Sequence, residues 1–232
     1  MNKNVELPSQ FAFRLTLNLL LVMHSIVSLI SGRGSNLEAI LKTATAKSWD
    51  VRFTGVISNN PEAKGLDFAR SQGISTQVLN HRDFASRDAF DKALIHEIDH
   101  YGADLLILAG FMRILTPAFI KHYEGRIINI HPSLLPRYPG LHTHERALEA
   151  GDTTHGATVH FVSAGVDEGP IICQGEVPIL RDDDASRLAA RVLKMEHYIY
   201  PLAVEWFINQ RLQIEGNTVH IHPPESQYIS FT

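Results

Sequence analysis

The feature that most restricts how this 232-residue chain can fold is an alternation. Short apolar, β-branched runs recur at 25–30, 51–58, 74–79, 104–109 and 126–131. Between them lie turns and stretches with apolar residues at helical spacing, such as Leu37, Ile40 and Leu41, or Phe90, Leu94, Ile98 and Tyr101. Strands that alternate with amphipathic helices through residue 150 predict a right-handed doubly wound sheet. Residues 104–109 have a nearly unbroken apolar centre, as a central parallel strand buried on both faces should. Further on, residues 155–162 alternate and 171–177 return after a Gly- and Pro-containing turn, which suggests an antiparallel pair. The expected fold is α/β: a doubly wound, mostly parallel twisted sheet of about seven strands with helices on both faces, and antiparallel strands near the C-terminal edge.

Two helix expectations are specific. Asn60-Pro61 reads as a helix start, with Asn as cap and Pro in the first turn. Pro201 should kink or split a late helix that carries Leu188, Val192, Met195 and Ile199 on one face.

Composition narrows the functional classes. Hydrophobic residues are 44% and charged residues 20%, so a large core can form and global disorder is excluded. The net charge is −4 and the pI about 6.3, which gives no basic footprint for nucleic acid. A single cysteine, Cys173, excludes an internal disulfide framework and fits a reducing, cytoplasmic setting. Its place in Ile171-Ile172-Cys173 suggests a buried, inert thiol. Residues 15–30 are mostly apolar, but Thr16, Asn18, His24, Ser25 and Ser28 interrupt them, so no membrane span is expected. Lys3 and Arg14 ahead of an apolar stretch resemble a signal peptide, yet no small-residue cleavage site follows. Residues 1–22 are expected to be an extension outside the fold, 23–215 the folded domain and 216–232 a polar tail.

Three stretches carry chemistry. Asn129 and His131 stand at alternate positions near the end of a predicted strand, hence on one face, and Pro132 ends the pairing. An amide donor beside an imidazole at a strand's carboxyl end suits a reaction that builds negative charge on a carbonyl oxygen. The alternative is a loop-capping His and a turn Asn. Ser31-Gly32-Arg33-Gly34-Ser35-Asn36 joins the first strand to a helix and makes an anion cradle of backbone N–H groups. Leu37 replaces the third Gly of a dinucleotide fingerprint, and Ser58-Asn59-Asn60 offers no acid for a ribose diol, so a lone phosphate fits better. An ordinary tight turn explains the same residues. Gly110-Phe111-Met112-Arg113-Ile114-Leu115 leaves the carboxyl end of the 104–109 strand and can line a slot for a flat ring, or be plain core.

In this order, Ser31-Gly32-x-Gly34-Ser35-Asn36, Ala109 to Leu115, Asn129-Ile130-His131-Pro132-Ser133-Leu134-Leu135-Pro136 and His155-Gly156-Ala157-Thr158-Val159-His160 resemble the phosphoribosylglycinamide formyltransferase family, the folate-dependent transferases of purine synthesis. The resemblance runs from about Met23 to about Leu212. It implies transfer of the formyl group of 10-formyltetrahydrofolate to the amine of glycinamide ribonucleotide, with no metal. It further implies that Asn129, His131 and Asp167 are catalytic, with Asp167 favouring the charged form of the His131 ring. Gly34, Ser35 and Asn36 would hold the substrate phosphate, and Glu196 with its preceding turn the ribose side. Arg87, Met112, Arg113, Ile114, Leu115, Asn129, Ser163, Ala164, Gly165, Val166 and Asp167 would contact the folate. The expected assembly is a monomer or weak homodimer that binds neither nucleic acid nor membrane.

Other readings compete. A methionyl-tRNA formyltransferase would need a C-terminal nucleic-acid domain, and this chain looks too short and too acidic. A formyltetrahydrofolate hydrolase shares the core but usually carries an N-terminal regulatory domain longer than residues 1–22. A metal hydrolase could use His131, His142, His144 and His160, although no strong ligand motif is present. A non-catalytic nucleotide-binding module would explain residues 32–36 and leave Asn129, His131 and Asp167 without work.

Overall fold

The computed structural model describes residues 23–230. The proposed extension at 1–22 lies outside the described residues. β1 (His24–Ile30), β2 (Val51–Ser58), β3 (Thr76–Val78), β4 (Leu105–Leu108) and β5 (Ile127–His131) form the parallel half of one sheet. Helices α1 (Ser35–Ala46), α2 (Gly65–Ser71), α3 (Arg87–Tyr101) and α4 (Pro117–His122) connect these strands in turn. After α5 (Thr143–Glu149), β6 (Thr154–Phe161) pairs antiparallel to β5, and β7 (Ile171–Pro178) antiparallel to β6. The long helix α6 (Ala185–Ile208) then precedes β8 (Leu212–Glu215), β9 (Thr218–Ile221) and β10 (Tyr228–Ser230). The sheet order is β3-β2-β1-β4-β5-β6-β7-β9-β8, with β10 also paired to β7.

The sheet is doubly wound because its strands are apolar on both faces. In β4 all four residues are buried. One layer of core includes Ile26, Ile30, Leu37, Ile107 and the α6 residues Val192, Met195 and Ile199. The other includes Leu29, Ile57, Phe90, Leu94, Ile98 and Phe119. Each fully buried side chain of this size contributes about 1.5–3 kcal/mol. Strand order reverses at β1, which has β2 on one side and β4 on the other. In such sheets a crevice opens at the carboxyl ends of the strands beside that reversal.

Four expectations change. The sheet has ten strands among the described residues, not about seven. The three additional ones come from the region beyond α6, most of which had read as a polar tail. Val219 and Ile221 alternate with exposed neighbours and are buried, a period-two signal too short to stand out in the sequence. The helix expected at Asn60-Pro61 begins at Gly65. Asn60 caps a tight turn instead: its Oδ1 accepts from Glu62 N (3.1 Å) and its Nδ2 donates to Ser31 O (3.2 Å). Pro201 does not split α6, which runs through it as one helix. The missing N–H is offset by packing, since Pro201 and its neighbours Tyr200, Ala203 and Val204 are buried. Tyr200 also ties the helix to the sheet: its hydroxyl lies 3.0 Å from Leu108 O and 2.8 Å from Ile128 O and shares its one proton between them.

Among the described residues, no helix is long and apolar enough to cross a membrane. Cys173 is buried, and burial pushes its thiol well above the ordinary range, as an inert core cysteine requires.

Candidate active site

A cavity of about 630 Å³ opens at the carboxyl ends of β4 and β5. Asn129 and His131 line it from β5, and Asp167 lines it from the loop between β6 and β7. The β5–β6 pairing sets Asn129 opposite His160, and His160 is followed by the strand end from which that loop departs. Asp167 therefore returns over β5. Its Oδ2 lies 3.3 Å from His131 Nδ1, and both side chains are largely buried. The Asp167 backbone has φ 56°, a left-handed conformation that Asp tolerates better than most side chains.

Hydrogen bonds fix each group. His131 Nε2 is 2.8 Å from the Tyr138 carbonyl, so that nitrogen carries a proton. Both ring nitrogens thus face oxygens, and a proton on each would satisfy both. Gly140 N donates to Asp167 Oδ2 at 2.9 Å. His160 Nδ1 is 2.9 Å from the Phe161 carbonyl, so its proton sits there and Nε2 accepts from Asn129 Nδ2 at 3.2 Å. Burial lowers the His160 pKa, opposed by that carbonyl and by Asp167, and the ring stays neutral. The orientation of the Asn129 amide follows: one N–H goes to His160, and the second is available to the cavity.

The two loops after β4 and before Asp167 bring mostly apolar residues to the cavity. Met112, Ile114 and Leu115 follow β4, while Ser163, Ala164, Gly165 and Val166 precede Asp167. Met112, Ile114, Leu141 and Val166 are exposed large hydrophobics around one opening, the mark of a binding slot and not of core. Arg113 also lines the cavity, with its guanidinium 5.8 Å from the Phe90 ring centroid. Arg87 does not line it; it is exposed at the start of α3.

The cradle stands on the other side of the crevice. Gly34 has φ 75°, and a Cβ there would lie 3.0 Å from Gly65 Cα, so only glycine fits. The N-terminal N–H groups of α1 follow at Ser35 and Asn36. Asn36 Nδ2 donates to Glu196 Oε2 at 2.6 Å, which brings α6 to the cradle. Burial raises the Glu196 pKa, opposed by the Asn36 bond. Asn36 Oδ1 is buried and accepts no hydrogen bond, which suits a hydroxyl donor. Glu196 lies within the helix, not after a turn.

Sequence reasoning missed several participants. His160, Tyr138 and Gly140 hold the catalytic candidates, and Gly65 backs the cradle with its N–H on Gly32 O at 3.1 Å. His160 is the second residue of Val159-His160, and only its register opposite Asn129 gives it a role. The four histidines named for a metal all line this cavity, but in different settings: His131 and His160 face Asp167, His142 is exposed, and His144 packs edge-on against His155 with centroids 5.2 Å apart. Among the described residues, no three His, Cys, Asp or Glu side chains are grouped to hold a metal ion.

Comparison with known proteins fits this geometry. A family model described as formyl transferase matches residues 24–204. The Escherichia coli (strain K12) phosphoribosylglycinamide formyltransferase is 52% identical over 193 residues, covering 83% of this chain and 91% of that protein. The chain belongs to the phosphoribosylglycinamide formyltransferase family. The Haemophilus influenzae phosphoribosylglycinamide formyltransferase is 41% identical, covering 86% of this chain and 94% of that one. Among solved structures, glycinamide ribonucleotide transformylase 1 from Symbiobacterium toebii superposes with a TM-score of 0.84 at 46% identity, over 86% of this chain and 94% of that one. This member of the formyl transferase family thus has the family's sheet, with the cavity and the cradle at the carboxyl edge of its strands.

Proposed function

We propose that the protein transfers the formyl group of 10-formyltetrahydrofolate to the amine of glycinamide ribonucleotide, a step of purine biosynthesis. The observation that carries this reading is the meeting of Asn129, His131 and Asp167 at the mouth of an apolar slot, opposite a backbone anion cradle. The pterin ring enters the slot between residues 111–115 and 163–166, and the phosphate rests on Gly34, Ser35 and Asn36. Glu196, held by Asn36, accepts from the ribose hydroxyls. Arg87 and Arg113 serve the anionic end of the folate.

The amine attacks the formyl carbon, a C–N bond forms, and the carbonyl oxygen becomes anionic. The second N–H of Asn129 donates to that oxygen, and the Nδ1–H of His131 is shared between it and Asp167. Asp167 holds the His131 ring and keeps a negative charge beside it. As the bond to the folate nitrogen breaks, the proton lost by the attacking amine ends on that nitrogen. The products are the formylated nucleotide and tetrahydrofolate. Folded residues from 23 onward suffice, residues 1–22 are an extension, and the enzyme works in the cytoplasm as a monomer or weak homodimer.

The test is ultraviolet detection of the tetrahydrofolate product, or of an analogue, with each substrate omitted in turn. Product must depend strictly on glycinamide ribonucleotide. Formate released without it would make the protein a hydrolase and overturn the proposal. A chain that starts at Met23 should keep solubility and rate; loss of either would overturn the assigned boundary.

A further inference from the structure

Ser31 is the last residue before the Gly-rich turn, and the proposed chemistry does not use it. Its polar groups nevertheless reach two other segments, residues 59–60 and 110–112. Ser31 N donates to Gly110 O at 3.1 Å. Ser31 O accepts from Asn60 Nδ2 at 3.2 Å. Ser31 Oγ accepts from Met112 N at 2.7 Å and donates to Asn59 Oδ1 at 2.5 Å. Asn59 is buried, and its Nδ2 lies 3.2 Å from His81 Nδ1. One hydroxyl therefore joins the loops that leave β1, β2 and β4.

The consequence is mechanical. The turn after Ser31 is the phosphate cradle, and Met112 opens the apolar slot. The Ser31 hydroxyl has one proton, which goes to Asn59, so the Met112 N–H takes its lone pair. Neither loop can shift without breaking a bond held by the other. With its N–H turned to Ser31, the Met112 peptide is unavailable to a ligand. The peptides beyond it are left to meet a flat ring.

We infer that Ser31 is a positioning residue that couples the two substrate sites, so that a phosphate seated in the cradle tightens the slot for folate. By linkage, folate tightens the cradle by the same factor. This inference rests on the two-substrate reading given above.

Calorimetric titration tests it. The ligands are glycinamide ribonucleotide and a folate analogue that lacks the formyl group, each titrated alone and then with the other saturating. The wild-type protein should bind each ligand about tenfold tighter in the presence of the other, equally in both directions. Ser31→Ala should abolish that ratio while each Kd measured alone stays within about threefold, because the ligand contacts themselves remain. Ser31→Thr, which keeps the hydroxyl, should restore it. A purely structural serine would weaken both Kd values and leave their ratio intact. Absence of coupling in the wild-type protein, or full coupling in Ser31→Ala, overturns the inference. Should Ser31→Ala not fold, Ser31→Cys takes its place; its thiol accepts poorly from Met112 N–H and must cut the coupling. If neither ligand binds, the substrate reading fails and this inference with it; two ligands that bind without coupling sink the inference alone.

Discussion

The two sides of the crevice are built by different means. At the cradle, backbone makes the site: Gly34 at φ 75° presses against Gly65, and N–H groups at the start of α1 face outward. Across from it, side chains make the site: Asn129, His131, His160 and Asp167 meet from β5, β6 and one loop. Backbone donors survive most substitutions and fail only where a Cβ intrudes. Side-chain donors fail with any change of chemistry. The cradle side should therefore respond to mutation through shape and affinity, and the opposite side through turnover.

The strongest challenge to that contrast is His131→Ala or Asp167→Asn. Each should lower kcat by roughly 10²–10³, with both KM values changed only a few-fold. Steady-state kinetics decide, and a binding defect at normal turnover would remove the contrast. Gly65→Ala should come next. Its Cβ would lie 2.7 Å from Ile30 Cδ1 and 3.2 Å from Arg33 O, and overpacking of this kind costs about 1–3 kcal/mol. Calorimetric melting should show a Tm several degrees lower, together with weaker glycinamide ribonucleotide binding; an unchanged Tm would mean that the cradle yields easily.

Ser35→Ala should raise the Kd for glycinamide ribonucleotide about tenfold without lowering the rate at saturation, as loss of one charge-assisted hydrogen bond would. A normal Kd would leave the backbone as the whole of the phosphate site. The last prediction concerns acid. Burial pushes the His155 ring, beside Tyr138, down to about 4, against 6.5 ordinarily, and lowers His144 likewise. The folded state then binds fewer protons than the unfolded one between those values. Stability present above pH 6.5 should drain as pH falls towards 4, and His155→Gln should flatten that loss in Tm. An identical pH dependence in the variant would place the acid sensitivity elsewhere.

Much of the fold was legible because its signals are local. The alternation of apolar runs and helical stripes marked the parallel half, and β2 falls at the 51–58 run read from the sequence. Pro132 marked the end of β5 at His131. Signals also misled where a side chain had a distant partner: Asn60 looked like a helix cap, but its amide is committed to Ser31 O. Of the candidate site, Asn129 and His131 were readable as neighbours from strand periodicity, and Gly34 from the turn it makes. Asp167, Glu196 and the folate contacts rested on resemblance, since no local pattern distinguishes a catalytic turn aspartate from an ordinary one.

What the chain alone determined is the series of strands and helices, and with it the sheet edge where polar residues gather. That much follows from apolar periodicity, which acts over a few residues. Only the tertiary structure decided that an aspartate 36 positions after His131 should return to within 3.3 Å of its ring, because that depends on β6 pairing antiparallel with β5. It likewise decided that Val219 and Ile221 join the sheet, and that one serine hydroxyl serves two loops. Contacts between distant segments are set by register and packing, and neither is written in any short stretch of sequence.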